Sequence, residues 1–84
     1  MPINNNQELY ATVREVAASL DEVGATQLSS ELRGALAISS MPGEILGETR
    51  LVLQRVRDHA AYRRLDIRRR VDEGIEYVGL AFGE

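Results

Sequence analysis

Apolar residues recur along this chain at steps of three and four, the spacing that gathers them on one face of an α-helix. Leu9, Val13, Val16, Ala17 and Leu20 form one such stripe, and Leu28, Leu32, Ala35, Leu36 and Ser39 the next. Ile45, Leu46, Thr49, Val52, Leu53 and Val56 make the third. The last segment, VDEGIEYVGLAFGE, carries the glycines, β-branched residues and aromatics of a strand. Yet Ile67, Val71, Ile75, Val78 and Phe82 keep steps of four, four, three and four, and a lone strand would find no partner in this chain. The pattern predicts four helices near residues 6–23, 26–39, 42–57 and 59–80, the last fraying after Gly79.

Local signals place the boundaries. Asn5 or Asn6 can cap the first helix, and Glu8 completes a capping box from Asn5. Asp21 and Glu22 in its last turn oppose the helix dipole. Gly24 suits the left-handed residue that ends a helix, and Thr26 is the candidate cap of the second. So short a link implies an antiparallel hairpin. Pro42 fits a first helical position, holds Met41 extended, and precedes Glu44, whose charge suits the helix start. The next boundary has no such signal, because RVRDHAAYRRLDI contains neither glycine nor proline. One helix from Pro42 to Leu80 would measure roughly 58 Å, against about 30 Å for a compact chain of this size. A break near Asp58, which can cap a fourth helix, is therefore expected. The alternative is a helical hairpin plus one long C-terminal helix, covered in a dimer.

The 84 residues suffice for one domain, 1–84. A domain this small buries only about 60–65% of its unfolded surface. Its 22 Ile, Leu and Val residues and nine alanines, against three Tyr and one Phe, suit closely packed helices rather than a sheet sandwich. The predicted fold is all-α, a small four-helix bundle-like domain. Its core is expected to hold Leu9, Val13, Val16, Leu20, Leu32, Leu36, Ile45, Val52, Leu53, Val56, Ile67, Val71, Ile75 and Val78. The absence of cysteine excludes a disulfide framework and thiolate metal sites, and fits a reducing, cytoplasmic setting. MPINNNQEL lacks the basic region and apolar run of a signal peptide. No stretch approaches the roughly 18 apolar residues of a membrane span. The net charge is −3, and all ten cations are arginine, as in GC-rich, bacterial coding. Mild acidity disfavours nucleic acid and anionic membranes but admits basic protein partners.

Chemistry-bearing motifs are sparse. The lone His59 has Asp58 beside it in sequence, which does not pair the two side chains, and no serine stands in a nucleophile elbow. HExxH, the EF-hand loop and cysteine pairs are absent, and a phosphate loop would lack its lysine. No catalysis, no cofactor and no metal are expected. YRRLDIRRRVDEGIE packs Arg63, Arg64, Arg68, Arg69 and Arg70 beside Asp66, Asp72, Glu73 and Glu76. Pairs four apart, Arg68 with Asp72 and Arg69 with Glu73, cancel much of the charge. Arginines nonetheless crowd the first half of that helix, against its dipole, so acids of the first helix (Glu8, Glu15) or a partner are expected to compensate. A helix-turn-helix over residues 28–57 would put Glu44 and Glu48 against phosphates, which disfavours it.

SSMPGEILGE raises a different question, since it gives two helical positions to glycine: Gly43 lies in the first turn, where propensity matters little, but Gly47 is interior and costs about 1 kcal/mol relative to alanine. On a helical wheel both fall opposite the apolar stripe, beside Gln54 and an apolar residue the core cannot reach, Leu51. Such a row lets another backbone approach closely. The expected function is a small cytoplasmic helical protein–protein interaction module that self-associates as a homodimer. Its interface would use Gly43, Gly47, Leu51 and Gln54, joined by Arg64 and Arg68 of the fourth helix. The alternative is an immunity- or antitoxin-type inhibitor of a basic protein.

Overall fold

The computed structural model describes residues 3–84 of the expected single domain; residues 1 and 2 lie outside the described residues. Four helices follow one another, α1 Asn6–Glu22, α2 Thr26–Leu36, α3 Pro42–Arg57 and α4 Leu65–Ala81, with a single 3₁₀ turn, Ala60–Arg63, before α4. Asn5 caps α1 by accepting from the Glu8 amide at 2.9 Å, and the Glu8 carboxylate returns to the Asn4 amide at 3.0 Å. The first helix closes on Gly24, whose φ of 81° is the left-handed conformation that L side chains resist. There the Gly24 amide donates to the Asp21 carbonyl at 3.1 Å and the Ala25 amide to the Leu20 carbonyl at 2.8 Å. These two bonds are a Schellman closure.

That closure explains one departure from expectation. Ala25, not Thr26, is the capping position of α2, and no side chain caps that helix. Ala25 is already committed to the closure and its methyl is buried, so no residue remains between the helices to serve as a separate cap. At its far end α2 stops at Leu36 rather than 39, because the Ala37 and Ile38 amides turn back onto the Gly34 and Ala35 carbonyls. Met41 is extended (φ −93°, ψ 118°) and Pro42 opens α3, as the sequence predicts.

The break between α3 and α4 falls where expected but is built differently. Asp58 ends α3, and α4 begins at Leu65 rather than at 59. His59 is extended and its Nδ1 accepts from the Ala61 amide at 3.0 Å, which starts the 3₁₀ turn. Ala61 is buried beneath that turn. The long continuous helix is therefore ruled out. At its other end α4 does not fray after Gly79; it runs to Ala81 and closes on Gly83.

The helices form a ring in which α1 packs on α2, α2 on α3, α3 on α4 and α4 back on α1. Contacts Asn6–Tyr77, Glu15–Arg70 and Ser19–Asp66 run in opposite directions along α1 and α4, so the two are antiparallel. Arg57–Asp72 and Arg50–Glu84 give the same sense for α3 and α4. The result is an up-down-up-down bundle of 31 × 24 × 19 Å. Among the described residues no helix is long and apolar enough to cross a membrane.

The expected core residues are buried except Leu36 and Ile75, which are half-buried at its margin. Ala17, Ala25, Ala35, Leu46 and Ala61 join them. Gly74 sits at the tightest point. A Cβ placed there would lie 2.9 Å from Leu53 Cδ1 and 3.6 Å from Leu9 Cδ1, so any side chain at 74 would force Leu53 to move. Two polar residues are fully enclosed, with different fates. Ser29 bonds Arg33, which also pairs with Asp21 at 3.0 Å. The Ser29 and Arg33 hydrogen bonds hold the Asp21 carboxyl below its ordinary pKa. Thr49 Oγ1 has no hydrogen-bond partner.

Candidate interaction surface

α3 turns Ile45, Leu46, Thr49, Val52, Leu53 and Val56 inward, which leaves Gly43, Gly47, Leu51 and Gln54 on the side away from the core. Leu51 is 52% exposed, although the two residues after it are buried. Gly43 is open, with nothing within 4 Å of the position its Cβ would take. Gly47 differs, because the tip of the Phe82 ring lies 4.0 Å from its Cβ position. The two glycines that look equivalent in sequence thus stand in different surroundings.

Phe82 arrives there through the closure at the end of α4. Gly83 takes φ 79°, its amide donates to the Leu80 carbonyl at 3.1 Å, and the Glu84 amide donates to the Gly79 carbonyl at 2.9 Å. This repeats the Schellman geometry seen after α1. The turn brings both carboxylate oxygens of Glu84 to 2.8 Å from Arg50 Nη1. The Arg50 guanidinium lies 5.2 Å from the centre of the Phe82 ring, within cation–π range. Phe82 thus sets its ring tip beside the Gly47 Cβ position and its ring face beneath the Arg50 guanidinium.

Arg64 and Arg68 do not adjoin the glycines on one molecule. They lie at the start of α4, whereas Gly47 meets its end, roughly 27 Å away along the helix at 1.5 Å per residue. Arg64 pairs with Glu22 at 3.0 Å and Asp66 at 2.8 Å. Burial pushes the Asp66 carboxyl up, but the Arg64 charge and backbone amides outweigh it and hold the group below its ordinary value. Arg68 is exposed. It does not pair with Asp72 as the spacing suggests. Asp72 Oδ1 instead accepts from the Tyr62 hydroxyl at 2.6 Å and from Arg57 Nη2 at 3.2 Å. That hydrogen bond, with burial, raises the Tyr62 pKa above its usual value. Glu15 of α1 reaches Arg70 at 2.8 Å, so the excess arginines of α4 are balanced in part across helices, as expected.

At the end of the bundle away from Phe82, a shallow depression of about 560 Å³ opens between the start of α2 and the end of α3, beside Glu31, Arg55 and His59. Glu31 and Arg55 bond each other. His59 spends Nδ1 on the backbone, which leaves its proton on Nε2. Among the described residues no group of three or more acidic or histidine side chains converges as a metal site would require.

The residues that sequence reasoning missed here are Arg50, Phe82 and Glu84. Gly83 did carry a signal, since glycine just past an apolar helical run marks this type of closure. The contact of Arg50 with Glu84 spans 34 positions and has no local signature. In comparison with known proteins, the chain matches no family model, no curated protein and no solved structure.

Proposed function

We propose that this domain is a non-catalytic cytoplasmic interaction module that pairs with a second copy of itself through the outward face of α3. The observation that carries this reading is the conjunction of open Gly43 and exposed Leu51 on one helix face. Charge order favours a second copy as the occupant. The acids Glu44 and Glu48 precede Leu51 along α3, and Arg55 and Arg57 follow it. A twofold pairing centred on Leu51 with antiparallel α3 helices sets the acidic end of one copy against the basic end of the other. Arg64 and Arg68 lie at that basic end, since Arg57 meets Asp72 in the first half of α4. Arg68, exposed there, can face the acids of the second copy while remaining remote from the glycines of its own, and Arg64 beside it is shared with Glu22 and Asp66.

Sedimentation equilibrium tests this. The wild type is expected to dimerise with a Kd of roughly 10–100 μM, in the range of small, transient interfaces. Leu51→Glu places like charges at the centre of the twofold and should give monomers with an unchanged helical spectrum. A wild type that stays monomeric at about 1 mM, well above that range, defeats the proposal. So does a Leu51→Glu protein that dimerises as well as its parent. Monomers that instead bind a basic protein would favour the inhibitor reading.

A further inference from the structure

Gly47 lies on the proposed docking face, and the ring tip of this chain's own Phe82 already stands 4.0 Å from where a Cβ at 47 would be. We infer that the turn Phe82–Gly83–Glu84 is a detachable cover on the glycine side of α3, an autoinhibitory contact that competes with the second copy. The inference rests on the reading of that face as the dimer surface and adds a regulator to it. A helix docking at Gly47 needs the space that the Phe82 ring tip occupies, so the turn must swing aside before backbones can approach closely.

What distinguishes a cover from ordinary packing is how the turn is held. The same closure after α1 is locked, because Ala25 is buried. After α4 the outer partner of each restraint is exposed. Phe82 is 43% exposed and the Glu84 side chain 59%, while Arg50, which holds both, keeps 24% of its side chain exposed. An ion pair and a cation–π contact that each keep one exposed partner are modest individually. The left-handed position is taken by glycine, so the backbone has open alternatives on release. Arg50 joins the parts: its guanidinium holds Glu84 and lies over Phe82, so losing one contact loosens the other.

Two covers must open for each dimer, and apparent affinity falls by the fraction of molecules that are open, once for each copy. Glu84→Gln keeps the shape of the side chain and removes its charge. It should tighten the dimer by about four- to twenty-fivefold in sedimentation equilibrium, the square of a two- to fivefold shift for one charge pair. Phe82→Ala should tighten it as well. Opening can be read directly, because Phe82 is the chain's one phenylalanine and ring-labelled phenylalanine reports on it alone. The nuclear Overhauser contact between that ring and the Gly47 Hα should weaken in Glu84→Gln. If both variants dimerise with the wild-type Kd or more weakly, the cover is refuted while the dimer stands. If wild type and variants are all monomeric, the dimer reading falls, and the inhibitory role falls with it.

Discussion

Glycine-to-alanine exchange at two helical positions provides a sharp check on the packing. Gly34 lies on the exposed side of α2, with nothing within 4 Å of its Cβ position. Gly74 is buried in α4, with Leu53 Cδ1 2.9 Å from where its Cβ would stand. Alanine improves helix propensity at either site by about 1 kcal/mol. At Gly34 nothing opposes the gain. At Gly74 the new methyl must displace Leu53, a side chain fully enclosed by the core, and overpacking of that kind costs about 1–3 kcal/mol. The net change at Gly74 is then a loss of up to about 2 kcal/mol, and the two variants separate by about 1–3 kcal/mol. For a domain of this length 1 kcal/mol shifts Tm by about 4–8 °C, so their melting temperatures should differ by about 4–24 °C, with wild type between them or level with Gly74→Ala. Thermal unfolding followed by circular dichroism at the helix band measures this. A Gly74→Ala protein that melts as high as Gly34→Ala would show that α4 does not approach α1 and α3 through a bare backbone, and the packing argument would fail.

Two further outcomes follow from enclosed and ion-paired groups. Thr49→Val removes a buried hydroxyl that has no partner and should raise stability by about 1–2 kcal/mol in urea unfolding; an unchanged or lower midpoint would mean that the hydroxyl is satisfied after all. Asp21 has its folded pKa below its unfolded value, so the folded state binds fewer protons there. Its contribution is full above the unfolded carboxyl pKa and is lost as pH falls through the folded one. Between pH 5 and pH 3 the wild type should therefore lose more stability than Asp21→Asn, and equal losses would contradict the assigned hydrogen bonds.

The helices were legible because each stripe faces a single core, and residues such as Val13, Val56 and Val71 repeat that periodicity without interruption. Boundaries were legible where a residue's own backbone preference decides them, as at Gly24 and Pro42. They were misplaced where a neighbouring element decides. Thr26 has the side chain of a cap, but the closure that ends α1 had already taken Ala25 for that position. Asp58 has the same chemistry, but the start of α4 is set by Ala61 burying itself beneath a 3₁₀ turn and by His59 capping that turn. The outward glycines were visible on a wheel, and their difference was not. Phe82 reaches Gly47 only after two helices pack and a turn reverses, and no short-range spacing encodes that.

The seam between α1 and α4 bears on how the bundle assembles. Three of its four helix interfaces join sequence neighbours and need only a hairpin to close. The fourth joins residues as far apart as Asn6 and Tyr77, 71 positions in sequence, where the Tyr77 hydroxyl donates to Asn6 Oδ1 at 2.5 Å. Loop-closure entropy grows with the logarithm of length, so bringing these ends together costs about 1–1.5 kcal/mol more than closing a hairpin of roughly 15 residues. That penalty favours a folding order in which hairpins form first and α4 docks on α1 last. In that order Gly74 meets Leu53 as the α3–α4 hairpin closes and Leu9 only at the end. The late contacts of the α1–α4 seam then set the lifetime of the folded state more than the speed of reaching it, because a contact absent from the transition state slows only unfolding.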